Sequence, residues 1–131
     1  MRPSLKFWLV WLAILGIIAV LFYAITPRIG RGHQARRTAA FTDINGGIKS
    51  AIEQYKADNG FYPKSLQELV QKSVGSTNWH GPYLDNLPID PWGNQYVYEY
   101  PGTHNTDSYD LFSAGPDSRV GTEDDLGNWQ K

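Results

Sequence analysis

The sequence predicts an α+β fold. An N-terminal transmembrane helix continues into a long amphipathic helix that packs on a small antiparallel sheet, and a C-terminal loop suited to a cation follows the sheet. Three observations carry this reading. Residues 7–26 form an uncharged, apolar run. Apolar residues then recur at helical spacing as far as Tyr55. Two aromatic and β-branched segments follow, and after them comes AGPDSRVGTEDDLGNW, a glycine-punctuated stretch that concentrates carboxylates.

The apolar run comes first. At ~1.5 Å per residue it reaches ~30 Å, the thickness of the hydrocarbon layer. Trp8 and Trp11 near its start and Tyr23 near its end sit where amphipathic aromatics prefer to lie, and Phe7 opens the run. A cleavable signal peptide is the rival reading. The run is long for one, and Ala24-Ile25-Thr26 is a poor small-x-small cleavage site, so a retained anchor is expected. Pro27 cannot donate to a helix, and Gly30 and Gly32 follow it, so a kink or frayed joint is expected there.

The chain has 131 residues, a net charge of −1 and no cysteine. One small domain beyond the anchor is all that this length allows. Nucleic-acid binding gains no support from the charge, and disulfides, thiolate metal sites and cysteine nucleophiles are excluded. Charge is segregated, however. Arg28, Arg31, Arg36 and Arg37 follow the anchor, which suits anionic lipid headgroups. Glu99, Asp107, Asp110, Asp117, Glu123, Asp124 and Asp125 crowd the other end, which suits a divalent cation. From composition alone a solvated charged surface is the favoured reading of each cluster.

Phe41, Ile44, Ile48, Ile52 and Tyr55 predict an amphipathic helix over 34–58, weakened at Gly46-Gly47 and stopped by Asn59-Gly60 and Pro63. Ser65-Leu-Gln-Glu68 has capping-box spacing and predicts a short helix to about Lys72. Residues 75–93 predict an ordered loop anchored by Trp79, Tyr83, Leu84, Leu87 and Trp92. Residues 95–100 predict a strand, Pro101-Gly102 a turn, and 108–113 its antiparallel partner, with Tyr109 and Leu111 on one face and Asp110 and Phe112 on the other. The chain therefore divides into a tail (1–6), an anchor (7–27), a basic segment with the amphipathic helix (28–59), and a region of short helix, loop, hairpin and cation loop (60–131).

No enzyme is indicated. His33, His80 and His104 are isolated in sequence, no serine lies in a nucleophile elbow, and Glu53 and Asp58 read as the polar face of a helix. Calcium takes six to eight oxygens, mixing carboxylates with carbonyls, so Asp117, Asp124 and Asp125 in a loop curled by Gly115, Gly121 and Gly127 could supply it. The spacing is not that of an EF-hand, and on the residues alone a solvated acidic loop is the better reading.

Several segments in order carry a resemblance. They are Asp43-Ile44, AIEQYKADNGFYP from Ala51 to Pro63, LPIDPWGN from Leu87 to Asn94, DLFSAGPD from Asp110 to Asp117, and DDLGNW from Asp124 to Trp129. Over about residues 40–131 the chain resembles the major pseudopilins of bacterial type II secretion systems. The resemblance implies an inner-membrane protein, single-pass, whose C-terminal domain is periplasmic. It implies that copies assemble with one another and with other pseudopilins into a short filament that supports protein export. It also implies a calcium ion held by Asp117, Asp124 and Asp125, with the backbone carbonyls of Ala114 and Arg119. The arginines after the anchor would by themselves favour a cytoplasmic domain. Precursors of this kind carry a Gly-Phe cleavage site before the apolar run and a glutamate just inside it. Residues 4–11 hold neither glycine nor acid, so an unprocessed anchor is expected. The alternative function is an anchored, calcium-dependent binding module that does not polymerise.

Overall fold

The computed structural model describes residues 5–130, and the side chains of 6–24 and 32–130. Helix α1 spans Leu5–Asp43, a π-helical turn spans Ile44–Ile48, and α2 spans Lys49–Asn59. A single helical turn, α3, covers Gln67–Val70. Strands β1 (Val97–Glu99), β2 (Asp110–Ser113) and β3 (Leu126–Gly127) form one antiparallel sheet in the order β1-β2-β3. The chain divides into two compact units, one ending at Ala35 and the other running Arg36–Lys131.

In the first unit, Lys6–Ala24 is long and apolar enough to cross a membrane, with a mean hydropathy of 2.5. Every described side chain in it is exposed, including Phe7, Trp8, Trp11 and Tyr23. A helix that is apolar all round and packs on no protein needs an apolar surrounding. The backbone of α1 runs through Pro27 rather than fraying there. Proline removes one hydrogen bond, which the rest of a long helix can absorb. The side chain of Pro27 lies outside the described residues.

The second unit is built on one stripe. Ala40, Ile44, Ile48, Ala51, Ile52 and Tyr55 are buried, and Leu66, Leu69, Tyr96, Tyr109, Leu111 and Leu126 close the core over them. Phe41, expected in the stripe, is only half-buried at its edge. The weak point at Gly46-Gly47 is where the hydrogen bonding widens to the π form. Glycine tolerates the change, and neither Gly46 nor Gly47 has an atom within 4 Å of where a Cβ would lie. Gly60, at φ 83°, caps α2 as the Asn-Gly pair predicts.

The second predicted helix is shorter than expected. Ser65 makes no capping bond, and the chain is already extended at Gln71. Glu68 instead accepts the Lys64 N–H at 3.0 Å and the Tyr55 hydroxyl at 2.9 Å, so it fastens the turn to α2. Burial and this carboxylate push the Tyr55 hydroxyl up to about 12. The loop anchors Trp79, Tyr83, Leu84, Leu87 and Trp92 all pack on the core as expected.

Strands β1 and β2 pair as foreseen, in the register Val97↔Phe112, Tyr98↔Leu111 and Glu99↔Asp110, but both are shorter than their sequence patterns. The expected alternation in β2 is absent, because all four residues are buried. Trp129 covers Phe112 on the second face, with ring centroids 5.3 Å apart. Strand β3 has no sequence signature of its own: two residues, one of them glycine, pair with Phe112 and Ser113.

Candidate functional site

The loop between β2 and β3 begins at a buried point. Ser113 is fully buried, and its hydroxyl donates to Asp90 Oδ2 while accepting the Gly115 N–H at 3.0 Å. Ala114 is buried beside it. Gly115 has φ 67°, and a Cβ there would collide with the carbonyl oxygen of Asp124. Only glycine lets the start and end of this loop approach so closely. The loop thus closes on itself with the Asp124 carbonyl at its neck.

The acidic side chains hang from this closed loop. Asp117 Oδ1 accepts the Arg119 N–H at 3.0 Å, and the Arg119 carbonyl accepts the Thr122 hydroxyl at 3.3 Å. Asp125 Oδ2 accepts the Gly121 N–H at 2.8 Å. Asp125 Oδ1 is buried yet has no donor, the only such side-chain atom among the described residues. Asp117 is exposed and Asp124 half-exposed. Among the described residues no three acidic, histidine or cysteine side chains converge as a metal cluster. Asp117, Asp124 and Asp125 therefore lie along one loop, but their carboxylates do not meet at one point.

The donor set fits a hard cation. It is all oxygen and mixes carboxylates with carbonyls, its neck is closed at a glycine, and it includes a buried carboxylate oxygen without a hydrogen-bond donor. The ion pairs among the described residues, His80–Asp58 and His104–Asp110, both lie outside this loop.

Two features escape sequence reasoning. The first is the turn at Asp90, within the loop predicted over 75–93. Asp90 is buried, and its Oδ1 accepts the N–H groups of Trp92 at 3.0 Å and Asn94 at 2.8 Å. Aspartate followed by Pro-x-Gly is the signature of such a side-chain-closed turn, so the signal was present. The second is Asp110. Its carboxylate accepts the N–H groups of His104 at 2.7 Å and Asn105 at 2.9 Å, the Asn105 amide at 2.9 Å, and lies 2.9 Å from His104 Nδ1. Burial pushes this carboxyl up, but the His104 and Asn105 N–H groups outweigh burial and hold it below the usual range. His104 is thus no bare surface histidine: its ring also stacks on Trp129 at 3.8 Å.

The geometry fits what the chain resembles. The family described as type II secretion system (T2SS), protein G, matches residues 28–129. The type II secretion system core protein G of Escherichia coli (strain K12) is 39% identical over 127 residues, covering 90% of this chain and 85% of that protein. The protein of the same name from Pseudomonas aeruginosa is 42% identical over 132 residues, covering 92% and 89%. The crystal structure of the major pseudopilin from the type 2 secretion system of enterohaemorrhagic Escherichia coli superposes with a TM-score of 0.68 at 35% identity, covering 77% of this chain and 92% of that one. With one apolar N-terminal helix, one amphipathic helix on a small sheet and this breadth of similarity, the chain belongs to the type II secretion protein G family, the major pseudopilins.

Proposed function

We propose that this chain is the structural subunit of a type II secretion pseudopilus, held in the inner membrane by Lys6–Ala24 with its domain in the periplasm. The observation that carries the reading, beside the family, is the one-sided use of the helix. The stripe from Ala40 to Tyr55 is spent on the domain's own core, while Lys49, Glu53 and Gln54 face outward. Copies then meet through their apolar helices and this outer helix face, and the basic residues Arg36 and Arg37 lie towards anionic headgroups. Other pseudopilins of the same machine are the further partners. The chain has no cysteine, so introduced thiols report alone. Paired cysteines at Arg36 and Glu53, or at Lys49 and Gln54, should give ladders of crosslinked subunits in membranes under mild oxidant. Monomers only, from abundant protein, would favour the non-polymerising binding module instead.

The same reading includes calcium in the 114–125 loop, held by Asp117, Asp124 and Asp125 with the Ala114 and Arg119 carbonyls. A bound calcium would supply positive charge to three carboxylates of one loop and a partner to Asp125 Oδ1. The residues' own part is to close the neck at Gly115 and carry the three carboxylates on one loop. A ligand specific to the folded state stabilises it by about 2.7 kcal/mol at a hundredfold excess over Kd. The protein should therefore melt several degrees higher in millimolar calcium than in chelator. Asp117→Ala or Asp124→Ala should abolish the difference, whereas the exposed Asp107→Ala should keep it. Magnesium should substitute poorly, because it holds its waters in a tight octahedral shell. Equal melting curves with calcium and chelator would remove the metal from this reading and leave the pseudopilus subunit.

A further inference from the structure

The loop that carries the acids is not free to choose its shape, and what constrains it lies more than twenty residues upstream. Ser118 is the only non-glycine residue among those described with a left-handed backbone, at φ 58°. A side chain in that region is strained and persists where neighbours over-determine it. At Ser118 the neighbour is Asn94, whose amide donates to Ser118 Oγ at 2.9 Å. Asn94 is itself fixed. Its N–H bonds Asp90 Oδ1 at 2.8 Å, and its carbonyl accepts the Asp90 N–H at 2.8 Å. The other oxygen of Asp90 takes the Ser113 hydroxyl, which holds the Gly115 N–H at the neck of the loop. One buried carboxylate thus grips the entry to the loop directly and its first bend through Asn94.

We propose that Asp90 and Asn94 are positioning residues for the cation loop: the 90–94 turn is the template that bends residues 113–118 so that Asp117 faces the space closed by Asp124 and Asp125. The inference rests on the calcium reading above. It assigns to the Asp-Pro-Trp-Gly-Asn turn a role in ligand affinity, where the fold alone would require it only to connect the loop to β1. Asn94 lies at the surface end of the relay, so its removal leaves the core intact, and Ser118 is exposed.

The test uses the full chain in detergent, with melting temperature and calcium affinity measured for the native protein, Asn94→Ala, Ser118→Ala and the double variant. Losing one hydrogen bond of this kind should weaken calcium binding by about two- to tenfold in each single variant. The melting temperature in chelator should stay near that of the native protein, so the loss appears in the calcium-induced increment. The double variant should bind no more weakly than either single one, since both remove the same contact. Amide exchange at Ser118, Arg119 and Gly121 in calcium should quicken in the variants. If the native protein shows no calcium response, both this inference and the calcium reading fall. If the native protein responds and Asn94→Ala binds calcium equally well, the positioning role alone is overturned. A drop in melting temperature that is the same in calcium and in chelator also overturns it, because it reveals a structural tie without effect on the ligand.

Discussion

Asp110 shows how a single side chain can hold a strand end, a loop and the chain's final turn together. Its fully buried carboxylate serves the 104–105 backbone, while Asn105 reaches on to Asn128 at 3.1 Å and Asn128 bonds the backbone of Tyr109 at 3.0 Å. The pH consequence has a definite sign. The carboxyl is held below its ordinary value of 3.8 in the folded protein. Its contribution to stability is therefore fully present above that value and is lost as pH falls through the folded-state value. Asp110→Asn should be less stable at neutral pH. As pH falls below about 4 its melting temperature should fall less steeply than that of the native protein. Parallel curves over that range would show that other carboxylates govern acid unfolding. Little of this was legible in the sequence. Asp110 reads as an alternating strand position, and its partners lie in a loop whose fold depends on Asp110 itself.

Among the elements, the π-helical turn decides how the helix meets its domain. Each residue of an α-helix turns it by about 100°, so one residue more or less re-aims everything beyond it. The residues before the turn (Ala40) and after it (Ile52, Tyr55) all face the core, and the widened hydrogen bonding of Ile44–Ile48 takes up one extra residue between them. Deleting Gly47 should return the turn to α geometry with Ala40, Ile52 and Tyr55 still facing the core, because a π turn holds one extra residue. It should cost less than the 2–5 kcal/mol of truncating one buried isoleucine, as read from urea melts, and a larger loss would show that the turn itself aims the helix. Gly46→Ala or Gly47→Ala meets no neighbouring atom and should be neutral or stabilising by up to about 1 kcal/mol. The elements were readable where periodicity governs them. The amphipathic helix, its glycine cap and the β1–β2 pairing followed from the residues. Periodicity could not show β3, because Leu126 and Gly127 have no pattern and exist as a strand only through Phe112 and Ser113. Nor could it show the length of α3, since Glu68 satisfies tertiary donors in place of a cap. The acidic loop was legible as a collection of donors, whereas the Asp90 relay that shapes it was not, being an arrangement of residues far apart in sequence.

At the scale of the whole molecule, the two units ask for different surroundings. The helix Lys6–Ala24 exposes apolar side chains throughout, while the unit from Arg36 onward closes its own core. A fragment beginning at Arg36 should be soluble without detergent and unfold in one cooperative urea transition monitored by tryptophan fluorescence. The full chain should require detergent. A fragment that stays unfolded would mean that the domain depends on the preceding helix.

The placement of β3 has a temporal meaning. The amphipathic helix is made early, but its apolar stripe is covered by residues that emerge much later: Tyr96 bonds Asp43 across 53 positions, Tyr109 reaches Glu53 across 56, and fully buried Leu126 comes later still. During synthesis the ribosome thus releases a greasy helix well before its cover. Contacts of such long separation also form slowly. A domain whose core needs its last strand cannot close before that strand has appeared, and until then the chain keeps the open form that a narrow pore can pass.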